Sequence, residues 1–267
     1  MNTHSMNTLH TGRVMPIIGI GTWKLDEPEK AIESALSLGY PMIDTSGDYG
    51  TQPGIAQGLE RSGILRGEVY IVTKVEEDED AYQSAKRNVG ELGIDSADLI
   101  LIHRPPEEGV GERLWEGLMR ARQEGITADI GVSNYSTGQI DKLIAASGEV
   151  PVVNQIEWSP FGHSEDMRTY CADKGIIIQA YSPLTRHTML DDARLGSIAR
   201  AYGKSPAQIV LRWNLERATV PLPKASKPEH QRENIEVFDF ELSERDVETI
   251  NALNKHYSAL GDRLQYI

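Results

Sequence analysis

The sequence predicts an alternating α/β protein built on a parallel sheet. Three observations carry this. Short apolar, β-rich segments recur along the whole chain, helical patterns with recognisable ends lie between them, and 267 residues suffice for one large domain. The segments are residues 17–20, 42–44, 69–73, 99–103, 130–133, 152–156, 176–180 and 220–223. Their unbroken apolar character suits strands covered on both faces.

The helical patterns have readable ends. The first runs from about Pro28 to Leu38, with Asp26 or Glu27 ahead of it and Gly39 as its stop. Ser136 with Gln139, and Ser205 with Gln208, form capping boxes, while Ser243 and Asp246 open the last helix. The acidic run at residues 76–80 reads as the solvated N-terminus of the helix that carries Ala81, Ala85 and Val89. It lacks the glycine turn and distal glutamate of a calcium loop, and no metal site is expected. Trp115 and Trp213 lie in helical patterns and read as core.

Such units could close into a barrel or lie open as a doubly wound sheet, and periodicity alone does not separate the two. Neither glycine pair completes a dinucleotide fingerprint. Lys24 follows Gly19 and Gly21 where a third glycine is needed, and Leu114 follows Gly109 and Gly111.

Composition narrows the partners. The net charge of -13 repels phosphate polymers, so nucleic acid is not an expected partner. No run of about 18 apolar residues calls for a membrane span. Residues 1–14 are polar, lack the apolar stretch of a secretory signal and read as a loose extension ahead of one domain from 15 to 267. Cys171 is the sole cysteine, which excludes a disulfide framework and fits a reducing, cytoplasmic compartment. It reads as a buried thiol, and the chain is expected to be monomeric.

Four polar residues stand at or just beyond the ends of successive strands: Asp44, Tyr49, Lys74 and His103. A lysine that follows an apolar strand needs an anion or a wet cavity, and Asp44 is its natural partner. Beside a cation about 4 Å away, phenolate is favoured by up to about 4 kcal/mol, so Lys74 would lower the pKa of Tyr49 from its ordinary ~10. His103 would then hydrogen-bond a substrate carbonyl. Such a set is a proton donor awaiting a hydride donor.

The ordered segments GIGTW, IDTSGDYG, TKV, LIHRP, IGVSN, NQIEWSP, AYSPL, AQIVLRW, PKAS and FDFELS, from about Met15 to Leu253, resemble the aldo-keto reductase superfamily. The resemblance implies a single (β/α)8 TIM barrel that uses NADPH or NADH to reduce a small-molecule carbonyl. It makes Asp44, Tyr49, Lys74 and His103 the catalytic set, with Tyr49 as proton donor. It assigns Ser133, Asn134 and Gln155 to the nicotinamide carboxamide and Tyr181 to the face of its ring. Ser182 and Leu184 fall near the pyrophosphate, and Lys224, Ser226, Lys227, His230, Glu233 and Asn234 form a clamp on the adenosine phosphate.

Several positions depart from the family pattern. His230 stands where an arginine is common, which predicts NADPH use with weakened discrimination against NADH. Ala225 replaces a common serine, and Gln52 and Ala56 replace acidic and glycine positions after Tyr49. Arg104 stands in place of a tryptophan, to meet either a carboxylate or polyol substrate or a neighbouring acidic side chain. Trp23, Trp158 and Phe161 are the expected pocket walls. The short tail after Leu253 implies an open lid, suited to small aldehydes, α-dicarbonyls and keto sugars. A cofactor-binding sensor without turnover, and a Schiff-base enzyme acting through Lys74, are the competing readings.

Overall fold

Two antiparallel strands, β1 (Met6–Thr8) and β2 (Val14–Pro16), precede eight parallel ones: β3 (Ile20–Gly21), β4 (Met42–Asp44), β5 (Tyr70–Val75), β6 (Ala97–Ile102), β7 (Thr127–Ser133), β8 (Val153–Glu157), β9 (Ile177–Tyr181) and β10 (Val220–Leu222). The structure is a computed structural model and describes residues 1–261 and 263–267. The eight parallel strands lie side by side in chain order. Gly19 and Gly21 donate their amides to the carbonyls of Pro221 and Pro223 at 3.2 and 3.1 Å, which joins the β3 and β10 edges into a (β/α)8 barrel. Gly21 permits this approach, since a β-carbon there would meet the Leu222 carbonyl oxygen at 2.9 Å.

The helices are α1 (Pro28–Ser37), α2 (Gln52–Ser62), α3 (Ala81–Glu91), α4 (Glu112–Gln123), α5 (Thr137–Ser147), α6 (Glu165–Lys174), α7 (Ala193–Tyr202), α8 (Pro206–Glu216), α9 (Pro228–Ile235) and α10 (Glu244–Asn251). Their ends follow from local chemistry. Ser136 and Ser205 each accept from the backbone of the glutamine three residues on, whose side chain accepts in return. Ser243 caps α10 through the Asp246 amide, and Asp80 caps α3 through the Gln83 amide. At α1 the expected acidic cap differs: Glu27 occupies the cap position with φ 44° and no side-chain bond to the helix, because its carboxylate pairs with Lys30.

Trp115 and Trp213 are fully buried in the layer between sheet and helices, as expected. Cys171 is buried in the same layer, and burial pushes its thiol up to about 12. A second cluster fills the barrel from below, with Met42, Val72, Leu99, Leu101, Val153, Val220 and Leu222.

The amino-terminal segment departs from its expected form. Residues 6–16 make a hairpin rather than a loose extension, with Leu9 and Met15 buried in that lower cluster. A barrel interior left open at the bottom would expose apolar side chains, and two of the segment's apolar residues, Leu9 and Met15, cover it while Met6 and Val14 face outward. The first barrel strand is accordingly shifted from residues 17–20 to Ile20–Gly21, since Ile17 hydrogen-bonds back to Ser5, just ahead of the hairpin. Among the described residues, no helix is long and apolar enough to cross a membrane.

After α10 the tail folds back over the barrel. The amides of Lys255 and Tyr257 donate to the Phe161 carbonyl at 2.9 and 3.0 Å, and Glu157 accepts from Ser258 Oγ and the Ala259 amide at 2.6 Å each.

Candidate active site

Parallel strands bring their carboxyl ends to one mouth, and there a cavity of about 770 Å³ opens. Its size falls within the usual range for a ligand site. Asp44 ends β4, Lys74 lies near the end of β5 and His103 follows β6. Tyr49 closes a short 3-10 turn, Gly47–Tyr49, after β4. Gly47 lets that turn approach α3, for a β-carbon there would meet Asn88 Oδ1 at 2.6 Å.

These four residues come together. Lys74 Nζ donates to both Asp44 oxygens at 2.9 and 3.0 Å, to the Thr45 carbonyl at 2.9 Å and to the Tyr49 hydroxyl at 3.4 Å. The rings of Tyr49 and His103 meet edge to face at 5.8 Å. Burial works against the charge on Lys74, but Asp44 and Tyr49 outweigh it and hold its pKa above the ordinary value. For Tyr49 the balance runs opposite to the expectation from sequence. Burial pushes its phenol up to about 12, and the pull of Lys74 in the other direction offsets only part of that. A cation estimated in isolation omits the desolvation of the phenolate it is meant to favour.

His103 has a partner that the sequence reading missed. Its Nδ1 lies 2.8 Å from both carboxylate oxygens of Glu76, which also accepts from Ser46 Oγ at 3.0 Å. Burial disfavours the Glu76 charge, yet His103, the Ser46 hydroxyl and Arg104 together hold its carboxyl below the usual range. Asp48 adds an exposed oxygen 3.7 Å from the same nitrogen. The three ligand-type atoms lie within 4.8 Å of one another, a spacing that could hold a metal ion; the 2.8 Å contacts are those of a shared proton, and we read the corner as hydrogen-bonded. The acidic run is thus divided: Asp80 caps α3 as expected, while Glu76 turns into the site. Strand alternation offered the signal, because Lys74 and Glu76 are two residues apart and share a face.

The residues expected around a cofactor all line the cavity. Ser133 and Asn134 follow from β7, and Gln155 sits in β8. Asn134 donates to Ser133 Oγ and to the His103 carbonyl at 3.1 Å each, and accepts from the Tyr181 hydroxyl at 2.7 Å. Gln155 Nε2 donates to Asp44 at 2.7 Å and to Gln179 at 2.9 Å, tying this group to the lysine pair. Ser182 and Leu184 line the cavity beyond β9, and Ser182 has a φ of 47°. Lys224, Ser226, Lys227, His230, Glu233 and Asn234 line its far end, around the start of α9. His230 is exposed and lies 3.7 Å from Glu233.

Of the expected pocket walls, Trp23 and Arg104 line the cavity. Arg104 also faces Glu77 at 3.7 Å, so both of its expected settings are met in part. Trp158 and Phe161 do not line it. Both are fully buried: Trp158 packs on the His163 ring at 5.4 Å, and the turn that carries Phe161 is covered by the tail. Their places at the mouth are taken by Arg186, whose guanidinium lies 4.4 Å from the Trp23 ring, and by Leu260 and Gln265 of the tail. Sequence patterning gave no signal for any of these three. Gln52, noted as a departure, is buried and joins Thr73 to Glu91.

Residues 17–255 match the model of the aldo/keto reductase family. The chain belongs to that family. An aldo-keto reductase of Mycobacterium sp. (strain MCS) is 35% identical over 255 residues, covering 93% of this chain and 90% of that one. A glyoxal reductase of Bacillus subtilis (strain 168) is 36% identical over 254 residues, 92% of each. Among solved structures, the aldo-keto reductase of Bombyx mori in complex with NADP superimposes with a TM-score of 0.91 at 30% identity, over 98% of this chain and 96% of that one. The chain is therefore an NAD(P)H-dependent oxidoreductase, in keeping with its sequence.

Proposed function

We propose that this aldo-keto reductase uses NADPH to reduce the carbonyl of a small aldehyde, α-dicarbonyl or keto sugar, with Tyr49 as the proton donor. The observation that carries the reading is the Tyr49 hydroxyl 3.4 Å from a buried, carboxylate-held ammonium at a cavity wall. When bound, the reduced nicotinamide supplies the hydride. The residues present fit such a group. Asn134 and Ser133 carry amide and hydroxyl groups that could exchange their present bonds for those of a carboxamide, and Tyr181 offers a flat ring. The start of α9 has no side-chain cap on its free amides, which suits a phosphate, and Lys224 and Lys227 stand beside it.

Within this arrangement Tyr49 stays protonated at neutral pH and gives its proton to the carbonyl oxygen as negative charge develops there. Lys74 stabilises the phenolate left behind, and Asp44 holds Lys74 in place. His103, whose ring lies against that of Tyr49, orients the substrate beside it. A Schiff-base role for Lys74 is disfavoured, because its ammonium is engaged by Asp44, Thr45 and Tyr49 and its charge is held. A histidine at position 230 lacks the planar fork of arginine, so NADPH is accepted with weak discrimination against NADH. The glyoxal reductase relative supports a small substrate.

The test is Tyr49→Phe. Carbonyl-dependent oxidation of NADPH falls by about 10²–10⁴-fold. Cofactor binding is retained, read through quenching of Trp23, the one exposed tryptophan among the described residues. Turnover at the wild-type rate in this variant would sink the assignment.

A further inference from the structure

We propose that Glu76 is a positioning residue that fixes His103 in the tautomer with its proton on Nδ1, so that the site prefers carbonyl substrates carrying a hydroxyl beside the carbonyl. The inference deepens the reductase reading and rests on it.

His103 Nδ1 makes two 2.8 Å contacts with the Glu76 oxygens. An ionised carboxylate can only accept, so a bond of that length requires the proton on Nδ1. Glu76 is itself braced: Ser46 Oγ donates to Oε1 at 3.0 Å, and its side chain is largely withdrawn from solvent. Asp48, 3.7 Å from the same nitrogen, offers it a second acceptor. The arrangement is that of a catalytic triad, in which a carboxylate holds one imidazole nitrogen protonated and leaves the other with a lone pair.

The remaining nitrogen decides what is recognised. Nε2 has no hydrogen-bond partner among the described residues and is not sealed away, and the ring lines the cavity next to Tyr49. In the fixed tautomer it is an acceptor. A carbonyl oxygen offers it nothing, whereas a hydroxyl on the adjacent carbon can donate to it while Tyr49 donates to the carbonyl. Two polar groups, one donating and one accepting, then read the two oxygens of an α-hydroxy ketone or aldehyde. A site built to accept from a hydroxyl leaves its lone pair unmatched when a methyl group takes that place.

Nitrogen NMR of the imidazole at neutral pH tests the tautomer directly, with the His103 signals assigned by comparison with His103→Asn. A proton on Nδ1 and a bare Nε2 are expected; a proton on Nε2, alone or together with Nδ1, overturns the proposal. The second arm compares kcat/KM for hydroxyacetone with that for methyl ethyl ketone, in which a methyl replaces the hydroxyl. In Glu76→Gln the side-chain amide can donate to Nδ1 and release the opposite tautomer. The preference for hydroxyacetone should then fall roughly tenfold, mainly through a higher KM for that substrate. Loss of both activities in equal proportion would mark a merely structural role and overturn the inference. The spectrum is independent of turnover, so a wild-type protein that reduces neither these ketones nor glyceraldehyde and methylglyoxal would count against the reductase reading while the NMR result still decides the tautomer.

Discussion

The ammonium of Lys74 sits 2.9 Å from one carboxylate oxygen of Asp44 and 3.0 Å from the other, with both side chains inside the barrel. Both side chains are almost wholly withdrawn from water, so each charge depends on the other. Replacing Lys74 with methionine leaves a buried, unpaired carboxylate, and a loss of about 3–5 kcal/mol is expected in urea unfolding. Adding Asp44→Asn removes that charge and should recover most of the stability without restoring carbonyl reduction. A single variant as stable as the wild type would show that Asp44 finds another partner.

The alternation of strand and helix and this pair were legible in the spacing of the sequence, whereas closure into a barrel came from the family resemblance. Strand ends in a parallel barrel converge, so a polar residue that follows an apolar run is already placed at the mouth. Asp44, Lys74 and His103 needed only that rule, and the capping boxes at Ser136 and Ser205 needed only local spacing. What escaped was long-range or competed with a stronger local signal. Glu76 was hidden in an acidic run that also caps α3. The hairpin's apolar residues, Met6, Leu9, Val14 and Met15, are scattered in a polar stretch without a regular alternation, and only Leu9 and Met15 turn into the core. Trp158 and Phe161 follow a strand end as pocket residues would, yet the tail and the packing on His163 bury them, and no pattern within their own segment encodes that.

Alkaline unfolding should be cooperative. Burial raises the phenols of Tyr40, Tyr49, Tyr70, Tyr135, Tyr181 and Tyr266, that of Tyr49 to about 12 and the others further. In the unfolded chain they ionise near pH ~10. The folded state therefore keeps protons that the unfolded state releases. This stabilisation is fully present below about pH 10 and is lost as pH rises through the folded values, by up to about 1.4 kcal/mol per pH unit for each group. Lys74, also raised, acts in the same direction. Phenolate absorbance from these side chains should appear in one step with the loss of the circular dichroism of the helices. A gradual rise with the fold intact would mean that the phenols are not sealed.

The hairpin at the bottom of the barrel should count towards stability as core does. Leu9 is 2% and Met15 0% exposed, and both pack among Met42, Leu99 and Val220. Gln179 Nε2 contacts Met15 Sδ at 3.3 Å, and Gln179 in turn accepts from Gln155, which donates to Asp44. The hairpin is therefore one end of a chain of contacts that reaches the lysine pair. Leu9→Ala and Met15→Ala are each expected to cost about 2–5 kcal/mol, the range for large-to-small changes in a packed core. Met15→Leu conserves volume and should cost less than about 1.5 kcal/mol. Urea unfolding of the three variants separates the cases. Changes within about 0.5 kcal/mol at all three would return the segment to the loose extension that its polar composition first suggested.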